Sequence, residues 1–218
     1  MFISQGSGRI GTILFAHGAG IAMDHRFMQT FSTLLADHGF RVIRFEFPYM
    51  QHRRATGKQI FPDKLDLLQD SFKQAAHKVR AESKDSAKPI FLLGKSLGGR
   101  VATMIADDLI YSLPIAGVFV LGYPFHPLLK PQKLRIEHLQ DIKAKVVVFQ
   151  GERDTFGSHQ EVCPLIESLN ITIHWFEDAD HDLKPRVKSG FSHTQHLFRA
   201  ASLIAQHARN LLAKKVNL

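Results

Sequence analysis

Cysteine and long apolar segments are scarce in this sequence. Cys163 is the only cysteine among 218 residues, so no internal disulfide can form, and this usage suits a reducing compartment. The longest apolar run, Ile115 to Leu121, is far shorter than the roughly 20 residues that a membrane-spanning helix needs. The first residues carry neither the basic start nor the apolar stretch of a signal peptide. We therefore expect a cytoplasmic protein that does not enter a membrane.

Acidic residues are also few. There are 20 of them against 28 lysines and arginines, which gives a net charge of +8 with histidine neutral. A basic chain can attract nucleic acid or another anionic partner. Here the basic residues are scattered, and the densest cluster is Arg53, Arg54 and Lys58. No aromatic residues alternate with them, so the sequence predicts a solvated basic face and no nucleic-acid partner.

Six short apolar runs, rich in Val, Ile and Phe, alternate with segments of helical periodicity. This alternation is typical of a mostly parallel sheet with crossover helices, whose strands are buried on both faces. The runs are Thr12–Ala16, Arg41–Phe47, Pro89–Leu93, Ile115–Leu121, Lys145–Gln150 and Ile171–Phe176. No Pro/Gly/Ser linker divides the chain. We predict a single α/β domain over residues 1–218, with a twisted sheet of about six to seven strands flanked by helices.

Apolar residues at helical spacing indicate three helices in particular. The first ends near Gly39, the second has Asp63 with Asp66 as candidate caps, and the last begins with the capping-box pair Ser192 and Gln195. We expect their apolar stripes to face the core. The stripes are Phe27, Phe31, Leu34 and Leu35; Leu65, Leu68, Phe72, Ala76 and Val79; and Leu197, Ala201, Ile204, Ala208 and Leu211.

Two segments do not fit the alternation. Pro48 to Pro62 has the composition of a polar loop, and a proline-containing insert at about 123–140 lies between two predicted strands. Long loops at strand ends in compact α/β domains tend to carry function. We expect both to overhang the carboxyl edge of the sheet, where open α/β folds place their sites. Because the second is short, any lid that it forms is minimal.

The most informative motif is a serine between glycines. Residues 94–98 read Gly-Lys-Ser-Leu-Gly, after an apolar run and before a helical segment. A G-x-S-x-G motif in this setting is typical of a nucleophile elbow, a strained turn that exposes the serine hydroxyl. Its glycines avoid a collision where the helix crosses back over the strand. We predict Ser96 as a nucleophile and the N–H of Leu97 as an oxyanion donor.

A serine nucleophile needs a base, and the base needs an acid that orients it. With this elbow the chain order is Ser, then Asp or Glu, then His. Asp154 follows the run that ends at Gln150, and His181 follows the last run. The competing acids are Glu152, Asp178, Asp180 and Asp182. Those beside His181 in sequence are poorly placed to reach its Nδ1, so we predict the catalytic set Ser96, His181 and Asp154.

A second oxyanion donor is expected from the loop after the first apolar run. That loop reads His17-Gly18-Ala19-Gly20, which matches the H-G-x-G type. We predict the N–H of Ala19 as the donor. The alternative is a generic glycine-rich turn that could cradle a phosphate, but no Walker lysine follows it.

Other candidate groups favour structural roles. His193 and His196 have a spacing that could chelate a metal, yet no supporting carboxylate or cysteine pattern accompanies them, so we expect a polar helix face. Cys163 is expected to be a small buried residue of a helix. Lys95 and Arg100 could favour an anionic substrate, but we expect Arg100 to point to solvent or to a nearby carboxylate. The proposed chemistry needs no metal and no cofactor.

These motifs together resemble the α/β-hydrolases, and more narrowly the small dienelactone-hydrolase-like group of predicted serine hydrolases. The segments that carry the resemblance are His17–Gly20, Gly94–Arg100, Gly122–Pro127, Gln150–Asp154 and Asp180–His181. The resemblance implies the α/β-hydrolase fold and a Ser-His-Asp triad. It says little about the substrate. Dienelactone hydrolases proper carry a cysteine nucleophile, so Ser96 speaks against that particular activity.

The sequence thus predicts a hydrolase of carboxylic esters or related acyl compounds, acting on a small molecule through an acyl-enzyme. Met50, Tyr123, Phe125 and His126 are candidate pocket residues, with ordinary loop packing as the alternative. A minimal lid favours small or exposed acyl groups over long buried lipids. Two other hypotheses stay open: a non-catalytic binding or scaffold protein with this fold, and an acyltransferase using the same triad. The oligomeric state is not indicated.

Overall fold

The computed structural model describes residues 1–83 and 88–216, so residues 84–87 and 217–218 of the predicted domain lie outside the description. Within the described ranges, seven strands form one mixed sheet, as predicted. They are β1 (Phe2–Gln5), β2 (Gly11–Ala16), β3 (Phe40–Phe45), β4 (Ile90–Lys95), β5 (Ile115–Leu121), β6 (Val146–Gly151) and β7 (Thr172–Phe176).

The sheet has the strand order β1-β3-β2-β4-β5-β6-β7. Strands β2 to β7 are all parallel to one another, and every residue of β2, β4, β5 and β6 is buried. Continuous apolar runs therefore form strands covered on both faces. The exception is β1, which pairs antiparallel with β3 at the edge and was not predicted. Its four residues are too few to show a periodicity in the sequence.

Helices cover both faces of the sheet. They are α1 (Arg26–Asp37), α2 (Pro48–Thr56), α3 (Leu65–Ala81), α4 (Leu97–Leu109), α5 (Glu137–Gln140), α6 (His159–Val162) and α7 (His193–Val216), with 3₁₀ helices at Cys163–Ser168 and Val187–Ser189. One apolar layer packs under α3 and α4, and the other packs under α1 and α7. The predicted stripes face these layers. No helix in the described ranges is both long enough and apolar enough to cross a bilayer.

Two local predictions were wrong and one is confirmed. The segment predicted as a polar loop from Pro48 contains α2, which has Pro48 in its first turn and Gly57 in the left-handed conformation at its end (φ 68°). Asp63 does not cap α3, because it accepts the N–H of Tyr49 at 2.8 Å instead. The capping box of α7 is present, with Ser192 and Gln195 each accepting the other's N–H.

Candidate active site

Ser96 occupies a strained turn between β4 and α4. Its φ of 51° and ψ of −115° lie outside the regions that an L-residue ordinarily adopts. The Ser96 N–H donates to the carbonyl of Leu121 at 3.0 Å, and the Arg100 N–H donates to the carbonyl of Ser96 at 3.0 Å. A Cβ on Gly94 would lie 2.1 Å from the backbone of Gly98, so this crossing requires glycine. The predicted sharp strand-to-helix turn is therefore present.

His181 lies on the loop after β7 and reaches the serine. Its Nε2 is 2.8 Å from Oγ of Ser96, and its Nδ1 is 2.7 Å from Oδ2 of Asp154. Because an ionised carboxylate can only accept, Nδ1 carries the proton, and Nε2 accepts the serine hydroxyl. The ring packs against Phe156, with centroids 4.6 Å apart. The three side chains selected from the sequence thus form one hydrogen-bonded chain.

Asp154 is fully buried and well supplied with donors. Its Oδ2 accepts from Nε2 of Gln150 at 2.8 Å as well as from His181, and its Oδ1 accepts the N–H of Phe156 at 2.8 Å. Gln150 is itself fully buried, and its Oε1 accepts the N–H of Tyr123 at 2.7 Å. These bonds fix which carboxylate oxygen faces the imidazole. The supporting role of Gln150 was missed, since a glutamine ending a strand has no distinctive pattern.

Lys95 is a second residue whose role sequence reasoning missed. Its side chain is 3% exposed, and Nζ donates to the carbonyl of His181 at 2.8 Å and lies 3.1 Å from Oδ1 of Asp182. Burial lowers the pKa of this ammonium, while Asp182 acts to raise it. Lys95, the residue before Ser96, therefore anchors the backbone of His181. Only the close approach of β4 to the loop after β7 reveals this contact.

The competing acids support the backbone around His181. Oε2 of Glu152 accepts the N–H of Asp178 at 2.9 Å, and Oδ1 of Asp180 accepts the N–H of Asp182 at 2.9 Å. Asp178 pairs with Arg153 and Arg186. Asp154 is the carboxylate in contact with Nδ1.

The loop after β2 lies beside Ser96. A Cβ built on Gly18 would be 3.6 Å from Cβ of Ser96. His17 is fully buried, and burial lowers its pKa, so the ring is neutral. Its Nε2 accepts the N–H of Phe47 at 3.1 Å, which leaves Nδ1–H to donate to the carbonyl of Gly18 at 2.8 Å.

Tyr49 holds the same turn from α2. Its hydroxyl is 3.3 Å from the carbonyl oxygen of Gly18 and 3.2 Å from that of Ala19. In a trans peptide the C=O and the following N–H point in opposite directions. His17 and Tyr49 therefore direct the N–H of Ala19 away from themselves by holding the carbonyl of Gly18. The helical segment that brings Tyr49 here was predicted as a loop, so this contact was not foreseen.

Comparison with known proteins agrees with this architecture. The family model of the alpha/beta hydrolase domain matches residues 9–209. The chain belongs to the alpha/beta hydrolases. One similar solved structure is dienelactone hydrolase from Anabaena variabilis, with a TM-score of 0.69, 17% identity, and coverage of 94% of this chain and 89% of that one. A second is the esterase domain of a Rhodothermus marinus protein, with a TM-score of 0.63, 18% identity, and coverage of 94% and 91%. A third is a monoacylglycerol lipase from Paleococcus ferrophilus, with a TM-score of 0.67, 16% identity, and coverage of 95% of this chain and 98% of that one. At these identities the likeness shows the fold.

The four residues predicted to line an acyl pocket in this alpha/beta hydrolase do not surround one cavity. Met50 lines a cavity of about 350 Å³ beside Gly20. Phe125 and His126 line a different one, of about 280 Å³. Tyr123 is fully buried in the core, and its hydroxyl donates to the carbonyl of Arg135 at 2.7 Å. For Tyr123 the alternative of ordinary packing therefore describes the structure better.

Two further predictions about this alpha/beta hydrolase have clear outcomes. Cys163 is exposed, so the prediction of a buried residue was wrong, because it lies where α6 gives way to a surface 3₁₀ turn. Ring nitrogens of His193 and His196 contact the carbonyls of Asp182 and Leu183 at 2.9 and 3.1 Å, so they hold this loop rather than form a plain polar face. Across the described ranges, no group of three candidate ligand side chains could hold a metal ion.

Proposed function

We propose that this alpha/beta hydrolase is a serine hydrolase of carboxylic esters or related acyl compounds, working through an acyl-enzyme. The observation that carries the proposal is the chain from Ser96 Oγ to His181 Nε2 at 2.8 Å and from His181 Nδ1 to Asp154 Oδ2 at 2.7 Å. Both contacts are within the range over which a base removes a proton.

In this mechanism Oγ of Ser96 attacks the acyl carbon while Nε2 of His181 takes the hydroxyl proton. The buried carboxylate of Asp154 stabilises the imidazolium that forms. When the tetrahedral intermediate collapses, the imidazolium returns the proton to the leaving group. Water then attacks the acyl-enzyme with the same base, and the acid product and the free Ser96 hydroxyl are released.

The oxyanion is assigned to the backbone N–H groups of Leu97 and Ala19. Leu97 is the first residue of α4, where an N–H has no partner within the helix. Ala19 follows the peptide carbonyl that His17 and Tyr49 hold, which leaves its N–H pointing the other way. Two donors fixed before the substrate arrives are the arrangement that stabilises a developing negative charge.

Small or exposed acyl groups remain the favoured substrates in this proposal. The insert at about 123–140 is short, and its first residues, Tyr123 to His126, are buried in the core rather than raised over Ser96. Related folds include an esterase domain and a monoacylglycerol lipase, so an ester is the natural first substrate to test. The cytoplasmic location stays a prediction based on cysteine usage.

A fluorophosphonate probe and p-nitrophenyl acetate test the proposal. We expect the probe to label Ser96, and Ser96→Ala to abolish both the labelling and the ester turnover. The matched control is Ser168→Ala, which removes an exposed hydroxyl bound only to the nearby carbonyl of Leu165 and should behave as wild type.

Turnover that survives in Ser96→Ala would refute the mechanism. A folded wild-type protein that is inert to the probe would instead favour a binding or scaffold role. Product analysis with competing alcohols and thiols separates hydrolysis from acyl transfer, because the two differ in which nucleophile reaches the acyl-enzyme.

A further inference from the structure

We propose that Arg100 and Arg135, with His138 beside them, form a subsite for an anionic group of the substrate, a carboxylate or a phosphate. This inference rests on the proposed function, which it narrows to acyl compounds that carry a negative charge. The backbone of Arg100 lies four residues after Ser96, about 6 Å along the axis of α4. The cluster therefore begins about one helical turn from the proposed nucleophile.

Hydrogen bonds link His138 to the backbone of Arg100 through Thr103, and a separate bond fixes the backbone of Arg135. Nε2 of His138 is 2.9 Å from Oγ1 of Thr103, and that hydroxyl donates to the carbonyl of Arg100 at 2.8 Å. The hydroxyl of Tyr123 donates to the carbonyl of Arg135 at 2.7 Å. The first turns of α4 are thus tied to the 123–140 insert, and the basic side chains come from both. Because the Thr103 hydroxyl is donating, Nε2 of His138 carries the proton and donates to that hydroxyl. Nδ1 of the neutral ring is an acceptor, so the bonds to an anion come from the two arginines.

The arginines have no partner of their own. Within residues 1–83 and 88–216, neither guanidinium forms a hydrogen bond or an ion pair, and Nε of Arg100 is enclosed and unpaired. An enclosed donor without a partner is costly, more so when the group is charged. The prediction was that Arg100 points to solvent or to a nearby carboxylate, and no carboxylate of the described residues pairs with it. A bound anion would supply the missing acceptor.

The charges around the cluster agree with this interpretation. Burial lowers the pKa of Arg135, and so does the neighbouring charge of Arg100. Burial also lowers the pKa of His138, again helped by Arg100. The acids in range of His138 are Glu137, which is exposed, and Asp107, which accepts the N–H groups of Lys143 and Ala144. Like charges that repel one another at an uncompensated site are stabilised by an anion.

A planar guanidinium favours the oxygens of a carboxylate or phosphate over a halide, since it can donate two parallel bonds. We therefore test both oxyanions. The substrates are the p-nitrophenyl monoester of adipic acid, which carries a carboxylate, and neutral p-nitrophenyl hexanoate. Inorganic phosphate and succinate serve as simple ligands, and their binding is measured by the midpoint of thermal unfolding.

Arg100→Met and Arg135→Met are expected to lower the ratio of kcat/KM for the charged over the neutral ester by about 10- to 100-fold. In wild type, phosphate or succinate at several times its Kd should raise the unfolding midpoint by about 2–4 °C, and the variants should lose this rise. The stronger of the two ligands identifies the anion. Lys133→Met is the control, since it removes an exposed charge from the same insert. If Arg100→Met does not fold, Arg135→Met carries the test.

An unchanged ratio in the arginine variants, or an equal fall in Lys133→Met, would overturn the subsite. If wild type hydrolyses the neutral ester through Ser96 but shows no charge preference and no rise with either ligand, the subsite is wrong while the proposed function stands. If no ester is hydrolysed and no probe labels Ser96, the proposed function fails. In that case the unfolding midpoint alone decides whether the anion site exists.

Discussion

Replacing Lys95 with methionine separates the positioning of His181, the proposed base, from the stability of the fold. The substitution keeps the length and volume of a buried side chain but removes the ammonium. That ammonium lies 2.8 Å from the carbonyl of His181 and 3.1 Å from Asp182. Lys95→Met therefore frees the loop that carries the imidazole, while Ser96, Asp154 and their own contacts stay in place.

The expected magnitudes differ for stability and for catalysis. Taking an ammonium out of water is expensive, so replacing it with an apolar group of similar volume should change the free energy of unfolding by no more than about 1 kcal/mol. Asp182 is 63% exposed and can be solvated when its partner is removed. The lost charge-assisted hydrogen bond is typically worth about 1.5–3 kcal/mol. If that energy positions His181 in the transition state, kcat falls about 10- to 100-fold with little change in KM.

The pH dependence gives a readout that a purely structural role would not change. Burial lowers the pKa of Lys95, so the ammonium loses its proton at a pH below the ordinary lysine range. Wild-type labelling by the fluorophosphonate should slow as the pH rises through that lowered pKa, and Lys95→Met should lack this decline. The stability of the fold should change with pH in the opposite direction to the labelling rate. The unfolded chain holds this proton more tightly, so the free energy of unfolding rises with pH over the same interval.

Steady-state kinetics, labelling rates and thermal unfolding of the purified proteins measure these effects. Lys145→Met is the control, since it removes an exposed lysine next to β6. Wild-type kcat in Lys95→Met would refute the positioning role. So would a fall in kcat that is fully matched by a loss of folded protein.

The remaining predictions concern the turn after β2, which contains Gly18 and Ala19, and the turn at Ser96. Tyr49→Phe removes the hydroxyl held near the carbonyls of Gly18 and Ala19, so kcat for p-nitrophenyl acetate should fall about three- to tenfold. The control Tyr111→Phe, at an exposed site, should leave kcat unchanged. Equal rates in the two variants would contradict the assigned role of Tyr49. Gly94→Ala places a Cβ 2.1 Å from the backbone of Gly98, so it should prevent cooperative folding, as measured by circular dichroism. The control Gly20→Ala, whose Cβ would meet nothing within 4 Å, should fold. A well-folded Gly94→Ala would show that the turn tolerates a side chain.

Most of the sheet could be predicted from the sequence because its strands are buried on both faces, and such strands leave continuous apolar runs. β1 could not, because four residues pairing at an edge leave no such run. Helix α2 was missed for a different reason. Its residues are polar, but Pro48 at its start and Gly57 at its end are recognisable helix signals.

The hydrogen-bonded set of Ser96, His181 and Asp154 followed from motif order and from the position of each residue after a strand. Its catalytic role stays a prediction. The contacts of Gln150 with Tyr123 and of Lys95 with His181 were out of reach, because they join strand ends to residues distant in sequence, which no local pattern encodes. The pocket prediction failed at Tyr123 because an aromatic residue in a loop can be packed into the core or left over a cleft, and the sequence does not distinguish the two.

The direction of β1 affects how the protein can be joined to a tag. Phe2 pairs with Phe45, and Phe45 pairs with Ala16, so this antiparallel strand starts at the edge of the sheet where β2 and β3 end. Three strand spacings, about 14 Å, separate it laterally from β4. Leu211 of α7 instead lies against Gly117, near the start of β5, at the end of the sheet where the parallel strands begin. A fusion at residue 1 would therefore crowd the approach to Ser96, whereas one after α7 would leave that approach open.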